Sequence, residues 1–226
     1  MAAITTTDTA LLRLMQLSSV SLPVGGYAFS QGLEFAIESG WIRNSQQVSE
    51  WLEQQLLYSV AQTDLPLLRL TMIAADAQDP QRLQFCNDLA LACRETRELR
   101  LTDSAMGEAM NRLLVSLGLS QPLPASGELS FVALFGIAAH NWQIGYPTAA
   151  LGFLWSWLEN QVAAATKLVP LGQTQAQQLL GELQPLLPQV ISRAEQVAED
   201  DIGSGLQGLA IASAGHETQY SRLFRS

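Results

Sequence analysis

The sequence predicts an all-α protein, a single-domain bundle of about eight to ten helices. Apolar residues recur at helical spacing along almost all of the 226-residue chain, and Gly and Pro fall where helices should end and begin. The composition, 48% hydrophobic and only 15% charged, belongs to a compact globular chain with a substantial core. So low a charge content also predicts that part of the surface is normally covered by something else.

The elements follow in order. Thr9 to Ser18 places Leu11, Leu12, Leu14, Met15 and Leu17 on a broad apolar face. A second helix begins near Phe29 and ends at Gly40, and Ser45 to Gln62 carries Val48, Trp51, Leu52, Leu56 and Tyr58 at helical spacing. Asp79 followed by Pro80 is an N-cap with proline at the first helical position, and Gly118 closes the helix before the loop at 120–127. That loop is the only plausible internal linker. The helices on both sides of it need a common partner, so the chain reads as one domain over 1–226, with a partner-docking tail from about 203 to 226.

From Leu129 to Leu158 there is no Asp, Glu, Lys or Arg. His140, Asn141, Gln143, Gly145 and Pro147 divide this stretch into two pieces too short to span a bilayer, so two buried helices are expected and no membrane span. Phe131, Phe135, Trp142, Trp155 and Trp157 lie in it, more large apolar area than one small helical domain readily hides. This predicts a homodimer.

A net charge of −9 argues against nucleic acid and anionic membranes as partners, because both reward clustered Lys and Arg. Lys167 is the only lysine; every other cationic side chain is Arg, whose planar fork suits fixed geometries. Cys86 and Cys93 lie two turns apart on one expected helix, roughly 10 Å of rise, too far for a disulfide. They read as small buried hydrophobes in a reducing cytosol. With no secretion signal at the start, the expected location is cytoplasmic.

Residues 21–34, SLPVGGYAFSQGLE, have the glycines of a phosphate cradle without its chemistry. No Lys follows Gly26 at the spacing a P-loop needs, and a helix, not a strand, precedes Gly25. The glycines are therefore structural: Pro23 stiffens the turn, Gly25 and Gly26 permit unusual backbone angles, and Gly32 lets another segment approach closely. His140 and His216 have no partners at metal-ligand spacing, and a hydrogen-bonding or packing role suits His216-Glu217 better than contact with a metal in transit. No nucleophile motif is present. Hence no catalytic residue, no metal site and no tightly bound cofactor are expected.

Two clusters remain. Arg94, Arg97 and Arg100 recur every three residues beside Glu95 and Glu98, forming a slanting row if they share a helix. They make either a solvated, self-paired face or a grip on a partner, through its carboxylates or as an arginine finger for a GTPase. The chain closes on Tyr220, Arg222, Leu223, Phe224 and Arg225, types enriched at interface hot spots. This tail either docks on a partner or packs back on its own domain, and docking is the expectation.

Taken together, LPVGGYAFSQGLE, ACRETRELR, NQVAAATKLVPLGQTQAQQLL and HETQYSRLFRS resemble the urease accessory protein F (UreF) family, in the family's order over nearly the whole chain. The resemblance implies an all-helical, non-enzymatic, cytoplasmic homodimer. It would join the urease accessory D protein (also called H) and the G-type GTPase to apo-urease and couple GTP hydrolysis to nickel delivery, with nickel passing through the assembled complex. A helical binding module for a small apolar ligand is the alternative. The family blocks fall on Pro23, Gly25, Gly26, Tyr27, Ser30, Gly32 and Glu34, on Lys167, and on His216, Glu217, Tyr220, Arg222, Leu223, Phe224 and Arg225. Glu34 is the one acid of its block, suited to orienting a partner's Arg or guiding a cation.

Overall fold

The computed structural model describes residues 7–119, 122–123, 127–203 and 205–226, and these are helical with no strand among them. The expected linker at 120–127 lies largely outside the described residues.

Helix α1 (Asp8–Leu17) starts at Thr7, whose hydroxyl accepts from the Ala10 amide. Only Ala10 and Leu17 of α1 are buried; Leu11, Leu12 and Met15 face solvent, against the expectation of a broad core-facing stripe. The reason is that α1 lies on the outside of the bundle and packs mainly on one helix, the long α8 (Tyr146–Leu168).

Helix α2 (Leu33–Glu38) begins four residues later than expected. Gln31 and Gly32 are both left-handed, with φ 50° and 82°, and two such residues in succession cannot continue a helix. Ahead of them the chain makes only a 3₁₀ turn at Gly26–Ala28. Helix α3 (Ser45–Gln55) is capped by the Asn44 side chain and continues into a wider π turn, Leu56–Val60, that buries Leu56, Leu57 and Val60. Helices α4 (Asp64–Asp76) and α5 (Pro80–Ala92) follow, α5 with Asp79 as its N-cap. Residues 93–96 then break the chain before α6 (Arg97–Ser116), which Thr96 caps.

The uncharged stretch forms α7 (Phe131–Asn141) and the first part of α8. No helix among the described residues is long and apolar enough to cross a membrane. Every residue of α7 from Phe131 to Ala139 is buried, enclosed chiefly by α4, α6, α5 and α8. Phe135 meets Phe131 and Phe153 edge-on at ring distances of 5.9 and 5.2 Å. One domain thus hides Phe131 and Phe135, because the bundle wraps α7, while Trp142, Trp155 and Trp157 stay partly exposed. Helices α9 (Gln173–Leu183) and α10 (Leu187–Glu195) are separated only by a 3₁₀ turn containing Pro185, and α11 (Gln207–Glu217) returns to lie on α2 and α6. A continuous apolar core runs from Ala10 to Phe224.

Candidate functional site

The turn at residues 25–34 and the C-terminal tail meet beside α6. Gly25 is left-handed at φ 76° with open space around it, so it serves the turn alone. Gly32 serves the turn and also a contact: a side chain there would lie 3.2–3.3 Å from Ser213 and Ala212 of α11. Gly26 is not left-handed, contrary to expectation. Its smallness admits the Asn160 amide, 3.0 Å from where a Cβ would stand.

This turn delivers Ser30 and Glu34 to the interior, where they receive the tail. The Ser30 hydroxyl and the Gln31 amide donate to the main-chain oxygen of Ser226 at 3.1 and 3.2 Å, and the Arg225 amide donates to Ala28 at 2.9 Å. The hydroxyls of Ser226 and Thr102 are also bonded. Glu34, buried in the first turn of α2, accepts the amides of Leu223 (2.6 Å) and Phe224 (2.9 Å). On its other side it meets His216 Nε2 at 3.0 Å, while His216 Nδ1 lies 2.8 Å from Glu98 of α6. Arg222 donates to the second oxygen of Glu98 at 3.1 Å. Phe224 is buried with Lys167 Nζ 5.3 Å from its ring, and Arg225 lies over Phe29.

Two expectations are corrected here. Glu34 cannot orient a partner's Arg or guide a cation, because both its oxygens are taken by this chain's own tail and ring. The tail is not an outward arm, since its main chain is bonded to its own domain. Its side chains divide: Phe224 and Ser226 are buried, while Tyr220, Leu223 and Arg225 are exposed and Arg222 is half-exposed. Tyr27, Pro23 and Glu217 are also exposed.

The arginine row does not exist as a row. Arg94 falls in the 93–96 break and turns inward, donating to Asp64 at 2.7 Å and Asp103 at 3.1 Å. Burial disfavours its charge, but Asp103 and Asp64 outweigh that and hold its pKa above the ordinary guanidinium value. It cannot reach into a partner as an arginine finger. Arg97 is exposed at the start of α6; Arg100 is half-buried and pairs with Glu128 at 2.6 Å. A small cavity of about 80 Å³, lined by Gln31, Asp64, Arg94, Asp103, Trp157 and Asn160 among others, lies beside this centre.

Glu98, Thr102, Asp64 and Asp103 had not been singled out as site residues. For Glu98 and Thr102 a signal existed: four residues apart just after the Thr96 cap, they share one face of α6. Nothing local marks Asp64 or Asp103, whose shared partner Arg94 lies 30 and 9 residues away on another segment. Among the described residues, no His, Cys, Asp and Glu side chains are grouped so as to hold a metal ion.

Fold and site together define a class: an all-helical domain that displays a short aromatic and basic C-terminal segment from a polar seat inside it. Comparison with known proteins narrows the class. The family model described as UreF matches residues 42–184, and the chain belongs to the UreF family. It is 60% identical over 99% of its length to a protein of Marinomonas sp. (strain MWYL1) named urease accessory protein UreF, covering 97% of that relative. Proteins of the same name from Teredinibacter turnerae and Hahella chejuensis are 48% and 45% identical, each over 96% of this chain and 98% of their own.

Proposed function

We propose that this chain is a non-enzymatic scaffold in urease maturation. In this reading it is a cytoplasmic nickel-insertion chaperone that bridges the D/H-type accessory protein and the G-type GTPase on apo-urease. It couples GTP hydrolysis to nickel delivery, and nickel is cargo, not a resident cofactor. Membership of the UreF family supports the urease setting.

The docking surface rests on one observation. Within seven residues the main chain is bonded inward through Glu34, Ser30 and Ala28, while Tyr220, Leu223 and Arg225 point outward. Side chains held on a fixed backbone lose little freedom on binding, and these types supply stacking area and forked hydrogen bonds to a partner. We assign this face, flanked by Tyr27, to the D-type protein. The test is a Tyr220→Ala/Leu223→Ala variant, which touches none of the internal bonds. Pull-down of the D-type protein should weaken more than tenfold, since hot-spot truncations each cost on the order of 2 kcal/mol, with melting unchanged. Full binding together with full urease activation would remove the assignment.

The homodimer belongs to the same proposal and is supported by another face. A groove of about 460 Å³ between α1 and α8 is lined by Leu11, Leu14, Met15, Val20, Leu151 and Trp155, and much of this apolar surface is exposed. The second reading, a module for a small apolar ligand, draws on the same groove. Sedimentation at micromolar concentration separates them: a dimer supports the first, while a 24.6 kDa species that takes up an apolar dye supports the second.

A further inference from the structure

His216 is fully buried between two carboxylates from different helices, Glu34 of α2 and Glu98 of α6, at 3.0 and 2.8 Å. A neutral imidazole has one N–H, and an ionised carboxylate only accepts. Two nitrogens facing two acceptors therefore need one hydrogen more than a neutral ring between two carboxylates supplies. Charge leads to the same count. Around the ring stand Glu34, Glu98 and, from the tail, Arg222; the cluster sums to zero only when the ring carries the extra proton. The other neighbour from α2, Phe35 against Gly215, is apolar and contributes no charge.

We propose that His216 is a positioning residue, a protonated clasp whose imidazolium holds Glu34 in place to receive the Leu223 and Phe224 amides, so that the seating of the tail depends on one buried proton. Without that proton a ring lone pair faces a carboxylate where no water reaches, and a buried charge is left uncompensated. The relief available is local: the tail lifts, Glu34 is hydrated, and the core beneath α11 stays closed. The clasp rests on this geometry alone. Its consequence, that display of Tyr220 and Leu223 to a partner follows the same proton, rests on the docking reading above.

The sign follows from proton counting. The seated form binds one proton more than the lifted form, so raising the pH favours lifting, by at most about tenfold per pH unit for one proton. Glu98→Gln offers a stringent control. Its carbonyl oxygen can still accept from Arg222, and its NH₂ can donate to a neutral ring at Nδ1 while Nε2–H serves Glu34, so every bond is kept without the extra proton.

The experiment is hydrogen exchange of the Leu223 and Phe224 amides in the full chain between pH 6 and 9, corrected for intrinsic rates, with ¹⁵N spectra of the histidine rings. Wild type should show both His216 nitrogens protonated at pH 6 and a tail opening that rises with pH. Glu98→Gln should show one protonated nitrogen and a flat profile. A wild-type ring with one bare nitrogen at pH 6, or tail exchange flat in wild type, overturns the clasp. His216→Gln should expose the two amides at every pH. Should it fail to fold, the wild-type and Glu98→Gln profiles still decide. Pull-down of the D-type protein over the same pH range separates the two ideas. Opening that rises while binding stays constant removes the docking reading and leaves the clasp. Flat exchange with binding lost in Tyr220→Ala/Leu223→Ala does the reverse.

Discussion

Two polar centres inside this weakly charged domain have the same plan and different purposes. In each, one basic side chain lies between two carboxylates from different helices: Arg94 between Asp64 and Asp103, His216 between Glu34 and Glu98. They differ in what the carboxylates hold next. Asp103 also accepts the Phe131 amide at 2.9 Å and the Ser130 hydroxyl at 2.9 Å, and so caps the buried helix α7. Glu34 holds the tail. They differ as well in the basic group, because a guanidinium keeps its charge at any pH a folded protein meets and an imidazole does not. A permanent cation sits where helices are locked together, and an imidazole where a surface segment is seated.

The largest expected effect breaks the first centre. Arg94→Ala leaves Asp64 and Asp103, with side chains only 10% and 6% exposed, as uncompensated charges beneath the start of α7. Removing one partner of such a buried set costs about 3–5 kcal/mol. Denaturant unfolding should show this as a lower midpoint with an unchanged slope. A loss below about 1 kcal/mol would mean that water already screens the pair and that the contrast between the two centres is false.

The second centre should give way locally. Glu34→Ala removes the acceptor of two amides and of the His216 ring, and hydrogen bonds to charged groups contribute about 1.5–3 kcal/mol each. The tail amides should lose nearly all their exchange protection while the amides of α7 keep theirs. Equal loss in α7 would show that the tail is part of the core's cooperative unit, and the distinction between locking and seating would fail.

The helical fold was legible because its signals are local. Periodicity, the Asp79-Pro80 cap, Gly40 and Gly118 each act within a turn or two, and all mark boundaries in the structure. The start of α2 was misplaced since Gln31, a residue that rarely takes positive φ, is left-handed beside Gly32, and no residue type announces that. Of the site, the residues that meet were visible as blocks, but what they do was not. Glu34 is separated from His216 and from the tail by more than 180 positions, so their bonds are a product of packing α11 on α2 and α6. Arg94 misled for the complementary reason: spacing of three looks like one helix face until a four-residue break turns the first member inward.

The smallest effect separates Arg94 from its apparent twin. Arg100 also bonds a carboxylate, Glu128, at 2.6 Å, and adds a bond to the Leu91 carbonyl at 3.1 Å near the end of α5. Its side chain is 44% exposed and that of Glu128 48%, so water and salt compete for both charges. Such pairs contribute about 0–1 kcal/mol, weaken with added salt, and leave no buried charge behind when one partner is removed. Arg100→Ala should therefore lower stability by about 0.5 kcal/mol at low salt and by less in 0.5 M salt, read from the same unfolding curves as Arg94→Ala. Arg97→Ala, at an exposed position, should change nothing measurable. If Arg100→Ala matched Arg94→Ala, burial would not be what distinguishes the two. With stability nearly unchanged, the Arg97→Ala/Arg100→Ala double variant is a clean probe of partner contact. Weaker pull-down of the G-type GTPase would assign these two arginines to that interface, and unchanged pull-down of both accessory proteins would leave them as a solvated face.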